Sequence, residues 1–92
     1  MKLSYSAHAV DDLIRLRTFI EEKNPAAAAR IAEELVKRID SLLQFPDMGH
    51  AVASAPEPNS IRDVVFGNYV VRYVSCGEVL IVLRIWHHDE NR

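Results

Sequence analysis

The stretch IRDVVFGNYVVRYVSCGEVLIVLRIW, residues 61–86, decides the fold. It is dense in Val, Ile and aromatic residues, which favour a pleated, half-buried surface. Gly67-Asn68 and Cys76-Gly77-Glu78 divide it into three runs, and connections this short join antiparallel strands as hairpins. The runs IRDVVF, YVVRYVS and VLIVLRIW therefore predict a three-strand meander. Alternation sorts their side chains by face. Tyr69, Val71 and Tyr73 fall on one side of the middle strand, and Val70, Arg72 and Val74 on the other. In the last strand Leu80, Val82, Arg84 and Trp86 share a face, opposite Val79, Ile81, Leu83 and Ile85. Arg62, Val64 and Phe66 share a face of the first.

Moving toward the N-terminus, residues 46–60 (PDMGHAVASAPEPNS) are rich in proline and read as a loop. Before it, Ala28, Ile31/Ala32, Leu35, Ile39 and Leu42/Leu43 recur at spacings of three and four, predicting a helix over 25–45. Asn24 is placed to cap that helix and Pro25 to occupy its first position. Pro46 stops it. Glu33 with Lys37 and Glu34 with Arg38 form favourable i,i+4 pairs on its solvated face. A first helix runs from a Ser6 cap to about Lys23, with Val10, Leu13, Leu16 and Ile20 as its apolar stripe and Phe19 widening it. Asp11 and Asp12 suit the positive end of that helix. The two helices, so closely linked, pair as a hairpin. KLSYS at 2–6 alternates as a short opening strand. The predicted architecture is α+β in the order β-α-α-β-β-β: one domain over residues 1–92, with an antiparallel sheet covered on one face by an N-terminal helical hairpin.

Composition narrows the function. The 92 residues are 49% hydrophobic and 26% charged, as in globular proteins. No apolar run approaches bilayer length and the N-terminus lacks a signal-like core, so a cytoplasmic protein is expected. The lone Cys76 allows neither an internal disulfide nor a multi-Cys zinc site. Eleven Lys and Arg stand against thirteen Asp and Glu, with a pI near 6.0. A protein that neutralises many phosphates is usually strongly basic, so any nucleic-acid contact would rest on a local patch. The bases are mostly Arg, suited to planar paired contacts.

An Arg inside an apolar strand is an anomaly, because its guanidinium cannot be buried unpaired. Arg62, Arg72 and Arg84 supply one per strand. Each either pairs with a carboxylate, such as Asp63, Glu78 or a helix acid, or converges with the others to bind an anion or an acidic partner. His87, at the end of the last strand, is either a proton-transfer group or a solvated tail residue. His87 and His88 point to opposite sides of an extended chain, and with His50 and Asp89 they match no zinc spacing. There is no Gly-rich phosphate loop, and neither Ser4 nor Ser75 sits in a nucleophile elbow. Tyr5, Phe19 and Phe45 are expected in the core, as is the stripe of the second helix. That stripe is wide enough to leave part exposed for another chain.

These residues resemble the RelE/ParE superfamily of toxins from type II toxin–antitoxin systems over nearly the whole chain. SAHAVDDLIRLRTFIEEKNPAAAARIAEELVKRIDSLLQFPDMG carries an A-x-x-DL run, an NP-x-AA helix start and a P-x-x-G stop. IRDVVFGNYVVRYVSCGEVLIVLRIWHH carries a Y-x-V-x-Y strand and an R-x-x-H end. The NP-AA helix and the YVVRY strand resemble the ParE branch more than the RelE branch. The resemblance implies a growth-arresting toxin of the kind that stabilises plasmids, neutralised by a cognate antitoxin laid across it as a helix and often a strand. ParE-like toxins trap DNA gyrase; RelE-like toxins cut mRNA on the ribosome. Carried over residue by residue, Arg62, Tyr73, Arg84 and His87 fall where the ribonuclease branch has functional side chains. Arg84 would steady phosphoryl charge and His87 would move a proton. Here, however, Asp89 and Glu90 follow the histidines, and acids beside a phosphate site repel the substrate. Gyrase inhibition without hydrolysis is therefore the favoured expectation, with Arg84, Trp86, His87 and Arg92 contacting the target and Leu13, Leu16, Ile20, Leu35 and Ile39 the antitoxin. It involves no metal, cofactor or membrane, and no sequence-specific DNA binding by this chain. An inactive relic acting as an antitoxin-binding co-repressor is a third reading.

Overall fold

The structure is a computed structural model that describes residues 1–52 and 61–90. Strand β1 (Lys2–Tyr5) leads into helix α1 (Ala7–Lys23) and helix α2 (Ala28–Asp40), which ends in a 3-10 turn over Ser41–Leu43. Strands β2 (His50–Ala51), β3 (Ile61–Phe66), β4 (Tyr69–Cys76) and β5 (Val79–His87) follow. The sheet order is β1-β5-β4-β3-β2.

The meander forms as the residues predict, with β3, β4 and β5 antiparallel. Gly67 and Gly77 open its two hairpin loops at φ of 63° and 60°, a backbone region that costs a side chain strain. The opening strand joins the sheet but runs parallel to β5, so the sheet is mixed rather than wholly antiparallel. The helical hairpin and strands β2 to β4 lie between these two neighbours in the chain, so the connection is far longer than the minimum a parallel pair requires. The stretch read as a loop also holds β2, which pairs with β3 through His50–Asp63 and Ala51–Arg62. Two residues are too few for alternation to reveal. No helix among the described residues is long and apolar enough to cross a membrane.

Ser6 caps α1, its hydroxyl accepting from the Ala9 amide at 3.0 Å. The buried line of α1 is Ala9, Asp12, Leu16 and Ile20. Val10, predicted in the stripe, is 45% exposed and Leu13 is only partly buried. The helix is rolled so that Asp12 points inward. Asn24 does not cap α2; it closes α1, its amide donating to the Ile20 carbonyl, and α2 begins after Ala27. On α2 it is Arg30 that reaches Glu34, at 3.4 Å. Ala28, Leu35, Ile39 and Leu42 bury the inner side of the second helical segment. Phe45, expected in the core, is exposed beside Met48 and lines an open cavity of about 670 Å³.

One irregularity decides which side chains face the helices. Arg72 pairs with Arg84 but Tyr73 pairs with Val82, so Leu83 is left unmatched as a bulge. The extra residue reverses the alternation. Leu80 and Val82 face the helices before it, and Ile85 and His87 after it, all buried. Arg84 and Trp86 thus lie opposite Leu80 and Val82, not beside them as simple alternation predicts. Among the described residues, the register leaves a sheet face of three rows turned away from the helices: Val65, Val70 and Trp86; Asp63, Arg72 and Arg84; and Ile61, Val74 and Ile81.

Candidate functional site

β1 pairs with β5 only as far as Tyr5 opposite Val82. There the chain turns into α1, and among the described residues no strand neighbours the outer edge of β5 from Leu83 onward. A buried backbone group without a partner is costly, and side chains supply the partners. The Ser6 hydroxyl donates to the Leu83 carbonyl at 2.9 Å. The Ile85 amide donates to Asp12 Oδ2 at 2.8 Å, and Arg15 Nη2 donates to the Ile85 carbonyl at 3.0 Å. The His87 amide donates to Glu90 Oε1 at 2.9 Å.

The same groups form an ion cluster. Arg84 reaches the edge and donates from Nε to Asp12 Oδ2 at 2.8 Å and from Nη2 to Oδ1 at 3.2 Å. Arg15 Nη1 also binds Asp12 Oδ1, and its Nε donates to Glu90 Oε2 at 2.8 Å. The Asp12 side chain is 2% exposed; those of Arg84 and Arg15 are 37% and 41% exposed. Burial alone would raise the Asp12 carboxyl, but hydrogen bonds from Arg84, the Ile85 amide and Arg15, with the charge of Arg15, bring it down to about 2. The bond from Arg15 likewise lowers Glu90.

Both carboxyls hold their protons less tightly folded than unfolded, so the folded state binds fewer protons and loses stability as pH falls. The contribution is whole above the ordinary Glu value of 4.5 and is lost as pH drops toward the Asp12 value of about 2. The urea midpoint should stay level from about pH 7 to 5 and fall steeply below that. Asp12→Asn should flatten most of the acid limb; an unchanged limb would assign it to other carboxyls.

The other two strand arginines are also paired. Arg72 grips Asp63 through two bonds of 2.8 and 2.9 Å and lies 5.3 Å from the centre of the Trp86 ring. Arg62 donates to the Gly49 carbonyl at 2.7 Å, with its Nε 3.7 Å from Asp47. Tyr73 is fully buried; its hydroxyl donates to the Pro46 carbonyl at 2.6 Å and accepts from the Gly49 amide at 3.0 Å. Burial raises its phenol above the ordinary value, so it stays protonated at neutral pH. His87 is 9% exposed, its ring centre 5.1 Å from that of Phe19 and 5.0 Å from that of Tyr69. Its Nδ1 accepts from the Asp89 amide at 3.0 Å, so the neutral ring carries its proton on Nε2.

The arrangement pairs Arg62 with Tyr73 across strands but brings neither Arg84 nor His87 to them. Arg62 is opposite Tyr73, and His87 is opposite Tyr69, four residues along β4. That spacing is about 13 Å. Arg84 lies at the edge of the other face. Trp86 is on the face turned away from the helices, beside Arg72, while Arg92 falls outside the described residues. Leu16, Ile20, Leu35 and Ile39 are buried, holding the hairpin to the sheet, and Leu13 packs against them. These five do not form an exposed antitoxin-binding stripe; the exposed apolar residues of the helices are Val10, Ile14 and Val36. Among the described residues no three His, Cys, Asp or Glu side chains gather as a metal site would need. Sequence reasoning missed Asp12, Arg15 and Glu90. The signal was present: Asp12 lies on the same helical line as Ala9, Leu16 and Ile20, a charge in an apolar stripe.

Comparison with known proteins gives a consistent picture. The family model described as "ParE toxin of type II toxin-antitoxin system, parDE" matches residues 3–92. Toxin RelE1 of Caulobacter vibrioides is 38% identical over 89 residues, spanning 95% of this chain and 92% of the relative. Toxin RelE2 of the same organism is 32% identical over 80 residues, spanning 86% and 85%. A structure of the chromosomal ParDE system from P. aeruginosa superposes with a TM-score of 0.79 at 19% identity, covering 95% of each chain. The isolated E. coli RelE toxin gives 0.66 at 14% identity, covering 99% of this chain and 87% of the other. The two solved structures share the two-helix, mixed-sheet fold.

Proposed function

Because the chain belongs to the ParE family of toxins from type II toxin–antitoxin systems, we propose that it arrests growth by binding DNA gyrase and not by cutting RNA. The observation that carries this reading is the separation of Arg84 and His87 from Arg62 and Tyr73. Tyr73 is buried with its hydroxyl committed to Pro46 and Gly49, and His87 is almost wholly buried at the far end of β4 from it. A ribonuclease needs its proton-transfer and charge-stabilising groups within reach of one phosphate. The strand arginines also face carboxylates, at Asp12, Asp63 and, more distantly, Asp47. That leaves little unneutralised charge for a phosphate backbone.

The face of β3, β4 and β5 turned away from the helices is the target-binding surface in this reading. It combines Trp86 with Arg72 among aliphatic side chains, and Arg84 stands at its edge. Aromatic and Arg residues dominate the energetics of protein interfaces. The cognate antitoxin takes the opposite side, over Val10, Ile14 and Val36 and the outer edge of β1.

Induced expression tests the reading. Trp86→Ala should abolish growth arrest, and His87→Asn should leave it intact, with folding of both checked by circular dichroism. The reverse pattern, together with cleaved mRNA, would establish the ribonuclease alternative.

A further inference from the structure

We infer that Asp12 is a positioning residue for the target-binding strand: with Arg15 it stands in for a missing neighbour strand along β5, and so fixes Arg84 and the turn after His87. The inference rests on the reading of the face turned away from the helices as the target-binding surface.

In the parallel ladder that β1 begins beside β5, the N–H and C=O of one residue both bond to the neighbouring strand. Ile85 receives the same two bonds here from side chains. Its N–H donates to Asp12 Oδ2 at 2.8 Å and its carbonyl accepts from Arg15 Nη2 at 3.0 Å. Residues three apart on a helix share a face, so one turn of α1 presents an acceptor and a donor at the spacing of one strand residue. Ser6 at Leu83 and Glu90 at His87 continue the substitution along the edge.

The geometry then reaches two parts of the surface. Asp12 engages Nε and Nη2 of Arg84, two nitrogens of a guanidinium that carries five N–H donors. The remaining donors of a side chain still 37% exposed are left in a fixed orientation for a target. A preorganised side chain loses less freedom on binding. Through Arg15 the same carboxylate is linked to Glu90, which fixes the turn that follows the strand. The cluster of Asp12, Arg15, Arg84 and Glu90 has no net charge, so its role is to aim donors and not to attract a polyanion.

A double-mutant cycle in gyrase supercoiling inhibition tests this, with Asp12→Asn, Arg84→Gln and the double variant checked for folding. If Asp12 acts through Arg84, each single change should weaken inhibition about tenfold, and the double variant should be no weaker than the worse single. Losses that multiply, or full inhibition by a destabilised Asp12→Asn, would overturn the inference and leave Asp12 a purely structural residue. Should Asp12→Asn not fold, Arg15→Gln takes its place in the same cycle with the same outcomes. If the unmodified chain does not inhibit gyrase, the target reading fails by itself. The cycle is then read in growth arrest, where non-additivity supports the positioning role and additivity refutes it.

Discussion

Asp12→Ala should lower the unfolding free energy by about 3–5 kcal/mol, the usual cost of removing one partner from a buried ion cluster. The loss has identifiable parts. The Ile85 amide loses its acceptor, and the guanidiniums of Arg84 and Arg15 lose a carboxylate that is 2% exposed. A buried donor left unmade is costlier than an exchanged bond, because no water replaces the lost partner. For a domain of this size such a loss moves the melting temperature by on the order of 20 °C. Asp11→Ala is the matched control. Asp11 is exposed one residue away on the same helix, and its removal should change stability by no more than about 0.5 kcal/mol. Urea unfolding of the pair checks the claim; equal effects would mean that the burial and pairing of Asp12 do not stabilise the fold.

Tyr73→Ala carries the second large effect, about 3–5 kcal/mol for deleting a fully buried aromatic side chain. Tyr73→Phe isolates the hydroxyl. It keeps the ring but leaves the Pro46 carbonyl and the Gly49 amide without their shared partner, at a cost of about 1–3 kcal/mol. The site is tight, since a Cβ at Gly49 would stand 2.7 Å from the Asp63 carbonyl oxygen. The segment around Gly49 is therefore pinned by Tyr73, by Arg62 and by the β2–β3 pairing. Denaturant unfolding gives both values. Because the tyrosine holds structure, the folded fraction of Tyr73→Phe should still arrest growth. Full loss of arrest in a variant of unchanged stability would return Tyr73 to a chemical role.

The order of elements was legible because its signals are local. Two helical stripes, a proline stop and three β-rich runs separated by glycine turns can each be read within a short window. The direction of β1 was not legible, since it depends on where the helical hairpin returns the chain. The bulge at Leu83 was hidden as well. Nothing in VLIVLRIW marks where an unmatched residue falls, yet that residue moves Arg84 and Trp86 away from the face of Leu80 and Val82. The strand arginines were recognised as anomalies needing partners, but Arg84 finds its carboxylate 72 residues earlier in the chain. Position along α1 marks Asp12 as a helix-end acid, whereas position on its face places it in the buried line. The two candidates with the greatest apparent chemistry, Tyr73 and His87, proved to be buried.

The most direct measurement sets purified chain against purified gyrase and, in parallel, against ribosomes programmed with mRNA. Supercoiling should be inhibited with accumulation of cleaved DNA–gyrase complexes, reversed by the cognate antitoxin, while the mRNA stays intact. Ribosome-dependent mRNA cleavage by a preparation that leaves gyrase untouched would contradict the gyrase reading.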